Sequence, residues 1–164
     1  NVPANPFIRH GLVFGLLVFA GAAGASDVVP TSATAASQGD VREANKNYIL
    51  AFYKTAFDSK RTDLACGYLA PSYIEHDPRI EDGVTGFAKY HARLLVAYPQ
   101  YSYEVRRIMS SGDRVIVHVL QRQNPWDRGD VQIHMYRMAF GKIAEHWVVA
   151  NPIPETSLNA NGLI

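Results

Sequence analysis

The sequence predicts an α+β fold in which three helices precede a strongly bent, mixed β-sheet. Apolar residues recur at helical spacing between residues 41 and 97, and apolar and polar residues alternate between residues 101 and 150. Two tight turns, Ser111-Gly112-Asp113 and Phe140-Gly141, divide the alternating region into hairpins. The 164 residues are enough for one domain with a sizeable core.

An apolar segment precedes this domain. Residues 11–25 are apolar or small without interruption, Arg9 precedes them and Asp27 follows. The pattern is typical of a secretory signal peptide, since a membrane-spanning helix needs about 20 apolar residues. The alternative is a retained anchor, in which residues 7–25 contact a membrane or the subunits of a membrane complex. The flanking charges then place the domain on the periplasmic side of a bacterial membrane, whereas cleavage would leave a soluble periplasmic protein.

Helices are predicted over residues 41–58, 62–69 and 84–97. Asp40, with Glu43 three residues later, indicates the capped start of the first helix. Prolines follow the second and third helices and stop them. The chain is thereby divided into an apolar segment 1–25, a flexible linker 26–40, a folded domain 41–154 and a C-terminal tail 155–164.

Four strands are predicted after the helices, over residues 101–109, 115–121, 130–139 and 142–150, and residues 73–76 form a short extended segment. A two-residue turn at Phe140-Gly141 pairs His134 with Trp147 and Tyr136 with Glu145. His134, Tyr136 and Trp147 then share one face of the hairpin, and His146 lies on the other. An imidazole beside an indole, among apolar neighbours, is typical of the wall of a small-molecule pocket.

Four segments carry a more specific pattern: Tyr-Ile-Glu-His-Asp-Pro at 73–78, Gly-Val-Thr-Gly-Phe at 83–87, Gly-Asp-Arg-Val-Ile-Val-His at 112–118 and Gly-Lys-Ile-Ala-Glu-His-Trp at 141–147. In this order they resemble the SnoaL-like polyketide cyclase family, within the nuclear transport factor 2-like superfamily. The resemblance covers roughly residues 41–154. It implies a cone-shaped fold, with the helices packed in a curved mixed sheet, and a homodimer formed through the outer face of that sheet.

His134 is the first candidate for a catalytic residue. Family members with cyclase or aldol-type chemistry usually place Asp, the proposed acid/base, where this chain has His134. An imidazole also transfers protons near neutral pH, and the candidates to assist it are His118 on the neighbouring strand, Asp77 and Asp130. The remaining ligand-binding candidates are Tyr73, His76, Tyr136 and Trp147. The alternative for His134 is a core histidine bonded to a tyrosine or to the backbone.

Composition argues against several other classes of protein. The net charge is +1 without a long basic run, so nucleic-acid binding has no electrostatic support. Cys66 is the only cysteine, which rules out an intrachain disulfide and a cysteine-based zinc site. The six histidines show neither His-x-His nor His-x-x-x-His spacing, and no phosphate-binding loop is present, so neither a metal nor a cofactor is expected.

Three functions stay open. The first is a non-catalytic accessory subunit of a membrane complex, favoured by the histidine at the position of the family Asp. The second, implied by the resemblance, is a cofactor-free lyase or isomerase acting on a small apolar carbonyl compound. The third is a carrier or sensor of a small apolar ligand. A cavity filled by side chains near His134 would argue against the enzyme.

Overall fold

A computed structural model describes residues 37–164 of the protein. The apolar segment 1–25 and most of the predicted linker lie outside the described residues. The anchor and signal-peptide predictions concern that segment and therefore stay predictions. Among residues 37–164, the helices are too short or too polar to cross a membrane.

The first helix, α1, spans Gln38–Tyr53 and begins earlier than predicted. Its N-cap is Ser37, whose hydroxyl accepts a hydrogen bond from the backbone N–H of Asp40 at 3.2 Å. The Asp40 carboxylate in turn accepts from the backbone N–H of Ser37 at 3.0 Å, which completes a capping box. The predicted cap at Asp40 is therefore wrong, because Asp40 is the third helical residue of this box.

One π-helical turn, Lys54–Asp58, continues α1. The backbone N–H of Ser59 donates to the Lys54 carbonyl, five residues back, at 2.9 Å. This turn places the Phe57 ring against Tyr103, with the ring centroids 4.3 Å apart.

Two further helices complete the helical part. The short α2, Thr62–Ala65, passes through a 3-10 turn, Cys66–Tyr68, into the first strand. The third helix, α3, spans Gly83–Ala97 and confirms the prediction to within one residue.

Five strands form one mixed sheet: β1 Leu69–Glu75, β2 Ser102–Ser111, β3 Arg114–Arg122, β4 Asp130–Ala139 and β5 Lys142–Pro152. The strand order is β1-β5-β4-β3-β2, in which β1 runs parallel to β5 and the other neighbours are antiparallel. The extended segment predicted at 73–76 thus belongs to a fifth strand beside the last hairpin. β1 therefore ends beside the segment 141–147, the last of the four that resemble the family, where Glu75 pairs with His146.

A β-bulge on β5 decides which residues face the helices. Ala144 is an extra residue in the β4–β5 pairing. Beyond it Tyr136 pairs with His146, one residue further along β5 than predicted. Trp147 consequently lies on the outer face of the sheet, and its predicted pairing with His134 is wrong.

A second bulge lies on β2, where Arg106 is the extra residue opposite β3. Arg107 therefore lies on the outer face beside His118. Its Nη1 is within hydrogen-bonding distance, 3.0 Å, of Nδ1 of His118. Ile108, rather than Arg107, packs against the core.

The core lies between the helices and the inner face of the sheet. The three central valines of β3 are fully buried, and aromatic residues of α1 and α3 pack over them. The buried cluster consists of Ile49, Phe52, Tyr53, Ala56, Ala65, Leu69, Tyr73, Phe87, Val115, Val117, Val119, Tyr136, Met138 and Ile143.

Candidate functional site

A cavity of about 130 Å³ lies between the helices and the inner face of the sheet. Aromatic side chains of α1, the π-turn and α3 form one wall, and polar side chains of the strands form the opposite wall. Its lining includes Phe52, Phe57, Phe87, His91, Tyr73, Glu75, Tyr103, Gln132, His134, Tyr136 and His146. An apolar pocket with a few grouped polar residues is the usual site for a small organic molecule. The region near His134 is thus not filled by side chains.

Three residues of the strand wall form a hydrogen-bonded chain, which we call the relay: Glu75, His146 and His134. Oε1 of Glu75 lies 2.9 Å from Nδ1 of His146, and Nε2 of His146 lies 2.8 Å from Nδ1 of His134. They come from β1, β5 and β4, which are consecutive in the sheet, so the side chains form a row across it. Only 1% of the Glu75 side chain and 5% of His134 are exposed, so bulk water does not compete for these bonds.

Hydrogen-bond donors surround the Glu75 carboxylate. The Tyr73 hydroxyl donates to Oε2, and the backbone N–H of Asp77 donates to Oε1 at 2.9 Å. Burial raises the pKa of Glu75, but the bonds from His146, Tyr73 and Asp77 outweigh it and leave the pKa below its ordinary value. Glu75 is therefore a carboxylate at neutral pH and orients His146.

His134 is held in its neutral form. Burial keeps the pKa of His134 well below its ordinary value, and the nearby His146 and Arg79 act in the same direction. The Tyr53 and Tyr103 rings meet the imidazole edge-on, with centroids at 6.1 and 5.4 Å. A neutral imidazole at a cavity wall can accept a proton, which a protonated one cannot.

Tyrosine hydroxyls extend the polar wall. Tyr101 donates to the Tyr103 hydroxyl at 2.9 Å, and Tyr103 donates to Oε1 of Gln132 at 3.1 Å. The Tyr136 hydroxyl donates to that of Tyr53 at 3.0 Å. Burial raises the pKa of Tyr53, Tyr103 and Tyr136, so these phenols stay protonated. Protonated phenols can stabilise negative charge that develops on a bound oxygen.

An ion pair lies at the solvent-exposed edge of the cavity. Arg79 holds both carboxylate oxygens of Asp77, with Nη2 2.7 Å from Oδ2 and Nε 2.9 Å from Oδ1. Burial raises the pKa of Asp77, but the hydrogen bonds from Arg79 outweigh it and lower the pKa overall. Asp77, a predicted assistant of His134, is thus engaged with Arg79. Asp130, the other predicted acid, also lines the cavity.

His91 of α3 enters the cavity wall from the opposite side and is only 1% exposed. Its Nδ1 lies 2.8 Å from the Thr62 hydroxyl, whereas its Nε2 has no hydrogen-bond partner among residues 37–164. Burial lowers the pKa of His91 to about 4, although the nearby Ala56 carbonyl favours the protonated ring. His91 is therefore neutral near pH 7.

Three predicted site residues lie on the outer face, away from the cavity. The rings of His76 and Trp147 stack there at 4.4 Å and 6°, and the Arg114 guanidinium lies 5.4 Å from the Trp147 ring. His118 also faces outward, because it alternates with Val117, which pairs with the inward His134. The predictions that His118 assists His134, and that His76 and Trp147 line the pocket, are corrected by this register. Tyr73, Tyr136 and His134 do line the cavity.

Sequence reasoning missed Glu75, His146 and Gln132. The alternation of Tyr73 and Glu75 along β1 carries a signal that could have identified Glu75, since alternate residues share a face. No comparable signal marks His146, which the Ala144 bulge turns inward. No group of three His, Cys, Asp or Glu side chains arranged to hold a metal ion occurs in the part of the chain that the structure describes.

Comparison with known proteins agrees with this architecture. The family model of the SnoaL-like domain matches residues 49–146, more than half of the chain. A search of curated proteins finds no match.

Solved structures share the fold at low sequence identity. A Bacillus cereus protein provisionally named a polyketide cyclase is 17% identical, with a TM-score of 0.60 over 71% of this chain and 79% of its own. A Kribbella flavida protein provisionally named a ketosteroid isomerase is 13% identical, with a TM-score of 0.60 over 75% and 89%. A Jannaschia protein provisionally named a SnoaL-like polyketide cyclase is 14% identical, with a TM-score of 0.58 over 71% and 92%. Together with the family match, this likeness in fold shows that the chain belongs to the SnoaL-like family and has the nuclear transport factor 2-like fold.

Proposed function

We propose that the domain is a cofactor-independent lyase or isomerase that moves a proton on a small, largely apolar carbonyl compound. The observation that carries this proposal is the relay of Glu75, His146 and His134 on the wall of an aromatic cavity. A buried carboxylate linked through imidazoles to a cavity is an arrangement suited to proton transfer. Neighbours provisionally named as a cyclase and an isomerase agree with this class of reaction.

In the proposed reaction, His134 removes a proton from the carbon beside the carbonyl group, and the electron pair of that C–H bond forms an enolate. As Nε2 of His134 gains the proton, Nδ1 releases its own proton to His146, whose positive charge Glu75 stabilises. The Tyr103 hydroxyl, which lines the same cavity, is the proposed donor to the enolate oxygen. Return of the proton to another carbon gives an isomer. Attack of the enolate carbon on a second carbonyl of the same molecule instead closes a ring, and the alkoxide formed there takes the proton back from His134.

The size of the cavity limits the substrate. An apolar cavity of about 150 Å³ holds one benzene ring, and the cavity here measures about 130 Å³. We therefore infer a substrate with about one ring in the cavity. Its carbonyl group would face the strand wall, where the hydrogen-bonding groups lie, and its apolar part would face Phe52, Phe57 and Phe87.

Deuterium exchange tests this proposal directly. Full-length protein is incubated in D₂O with cyclohexanone, and deuterium incorporation beside the carbonyl is followed by NMR. We expect exchange above the buffer rate, reduced about 10²-fold or more by His134→Asn, because general bases contribute about 10²–10⁴-fold. His118→Asn is the matched control, since it removes an imidazole from the adjacent strand on the outer face and should keep the wild-type rate. Equal rates in the two variants would contradict the assignment of His134.

A non-catalytic ligand carrier is the second candidate, and one observation favours it. Both ring nitrogens of His134 are bonded to protein groups, Nδ1 to His146 and Nε2 to Gln132. Catalytic hydrogen bonds often rearrange when substrate binds, so the enzyme remains our first proposal. Cyclohexanone that binds with unchanged affinity in wild type and His134→Asn, without deuterium exchange in either, would favour the carrier.

The accessory role and the location remain proposals from the sequence. We propose that residues 7–25 hold the domain at the periplasmic side of a membrane, directly or through subunits of a membrane complex. Mass spectrometry of the mature N-terminus tests this. A mature chain that begins near Ser26 would contradict the retained anchor and indicate a soluble periplasmic protein.

A further inference from the structure

Two buried glutamine side chains continue the relay beyond His134. Gln132 is 5% exposed and Gln121 is 4% exposed. Oε1 of Gln132 lies 2.9 Å from Nε2 of His134 and accepts from the Tyr103 hydroxyl, and its Nε2 donates to Oε1 of Gln121 at 3.4 Å. The protons of the relay must be consistent with these two carboxamides, because a carboxamide oxygen only accepts and its nitrogen only donates.

In the first arrangement of the two carboxamides, the Gln132 oxygen faces His134 and the Gln132 nitrogen faces Gln121. This arrangement requires three protons in the relay. Oε1 of Gln132 accepts, so Nε2 of His134 carries a hydrogen and its Nδ1 is an acceptor. Nε2 of His146 must then donate to that Nδ1. Nδ1 of His146 faces the Glu75 carboxylate at 2.9 Å, so a third proton must lie between these two groups.

A second arrangement satisfies the Gln121 carboxamide better, because in the first arrangement its nitrogen faces only hydrogen-bond donors. When the Gln121 carboxamide is reversed, its oxygen accepts from the backbone N–H groups of Arg122 and Gln123, both at 3.3 Å. Its nitrogen then faces Gln132, which must also reverse to offer its oxygen. Gln132 now donates to Nε2 of His134.

The second arrangement requires only two protons in the relay. Nδ1 of His134 carries a hydrogen and donates to His146, and Nδ1 of His146 donates to the Glu75 carboxylate. The Tyr103 hydroxyl rotates to accept from Gln132, which a hydroxyl can do because it both donates and accepts. In this arrangement both atoms of the Gln121 carboxamide have partners.

We propose that Gln121 and Gln132 are positioning residues that set which nitrogen of His134 carries its hydrogen, and that their carboxamides reverse together when the relay gains a proton. The two arrangements differ by one proton and use the same atomic positions. Gln121 acts at a distance, since it contacts Gln132 and not His134.

The surroundings of the relay contain further charged and titratable groups on each element packed against it. Tyr53 faces it from α1, Tyr103 from β2, Tyr73 from β1 and Tyr136 from β4, while Asp77 and Arg79 face it from the loop after β1. The tyrosines stay protonated, and Asp77 and Arg79 form an ion pair. The relay itself therefore holds the proton by which the two arrangements differ.

The inference gives the relay two forms with different chemistry. In the two-proton form Nε2 of His134 is an acceptor, and in the three-proton form it is a donor. In the proposed reaction the two-proton form is the base and the three-proton form is its conjugate acid, and this assignment of roles rests on the proposed function.

NMR of the histidine rings tests the inference without any substrate. Full-length protein with ¹⁵N-labelled histidine is titrated with acid, and long-range ¹H–¹⁵N correlations report which ring nitrogen is protonated. We expect the hydrogen of His134 to move from Nδ1 to Nε2 as the relay gains its proton. A tautomer that stays the same across the titration would overturn the inference.

Gln121→Glu gives the sharper test. A carboxylate only accepts, so it should hold the Gln132 nitrogen toward position 121 and lock His134 as the Nε2–H tautomer where the wild type shows Nδ1–H. Gln123→Glu is the control, since it adds the same charge at an exposed neighbour and should leave the tautomer unchanged. Gln132→Glu should produce the same lock and serves if the first variant does not fold. An unchanged tautomer in a folded Gln121→Glu or Gln132→Glu variant refutes the inference, whereas absent deuterium exchange with a shifted tautomer refutes only the proposed reaction.

Discussion

The buried His91 should make the stability of the domain depend on pH. Its pKa is about 4 in the folded protein, against an ordinary value of 6.5. Between these two pH values the unfolded chain binds a proton at His91 and the folded chain does not. Each unit of pKa difference corresponds to 1.36 kcal/mol, and the full difference therefore amounts to about 3 kcal/mol. A depressed folded-state pKa gives stability that is present above pH 6.5 and is lost as the pH falls toward 4. Between pH 7 and pH 5 the loss from His91 alone is about 2 kcal/mol.

Urea denaturation at pH 7, 6 and 5 measures this loss. Wild type is compared with His91→Gln, and the difference between their pH slopes isolates His91 from other groups, such as His134, that act in the same direction. His91→Phe is a second non-titrating variant, which keeps an aromatic ring against Phe87. The two variants can differ in absolute stability but should share one slope. If either retains the wild-type loss between pH 7 and pH 5, the assignment of His91 as a neutral buried imidazole is refuted.

Three further predictions follow from local geometry. Phe140→Asn should raise the free energy of unfolding by about 1 kcal/mol, measured by thermal denaturation, because Phe140 has φ 50 and a fully exposed side chain. Gly86→Ala should lower it by about 3 kcal/mol or more, since the new Cβ would lie 1.7 Å from the Glu81 carbonyl oxygen, whereas Gly67→Ala, with open space at its Cβ, should cost far less. Tyr73→Phe should cost about 2 kcal/mol in urea denaturation at pH 7, because it removes a donor from the buried Glu75 carboxylate; an unchanged midpoint would contradict that role.

Local signals in the sequence located the three helices and the two hairpin turns, although α1 begins before its predicted cap and α2 ends at Ala65 rather than at residue 69. Pro99 follows the end of α3 as predicted, and a two-residue turn at Phe140-Gly141 forms although asparagine is the usual first residue. Pro71 instead lies within β1, because α2 has already ended at Ala65. Strand alternation likewise identified all of the antiparallel strands. Each of these features depends on a few neighbouring residues, so no knowledge of the tertiary structure was needed.

The faces of the strands could not be assigned in the same way. An extra residue at Ala144 or Arg106 inverts every side chain beyond it, because alternation has a period of two. Neither residue type identifies a bulge. The adjacent apolar pair Ile143-Ala144 is a local hint, since both of its members are buried, but the same strand also carries four consecutive apolar residues at 147–150.

The Ala144 bulge also changes how the histidine at position 134 should be understood. The resemblance places a carboxylate at this position, and the chain supplies one instead from Glu75, two hydrogen bonds away through His146. The group at the cavity is then neutral before it takes a proton and positive afterwards, whereas an aspartate would be negative and then neutral. A proton taken from a bound carbonyl compound would leave an enolate facing a positive imidazole pair, with the carboxylate shielded behind it. Attraction between these opposite charges in a buried site favours the charge-separated state that a neutral base would otherwise form with difficulty. The exchange of aspartate for histidine is therefore compatible with proton transfer only because the bulge turns His146 inward, and a strand without that bulge would leave His134 without its carboxylate.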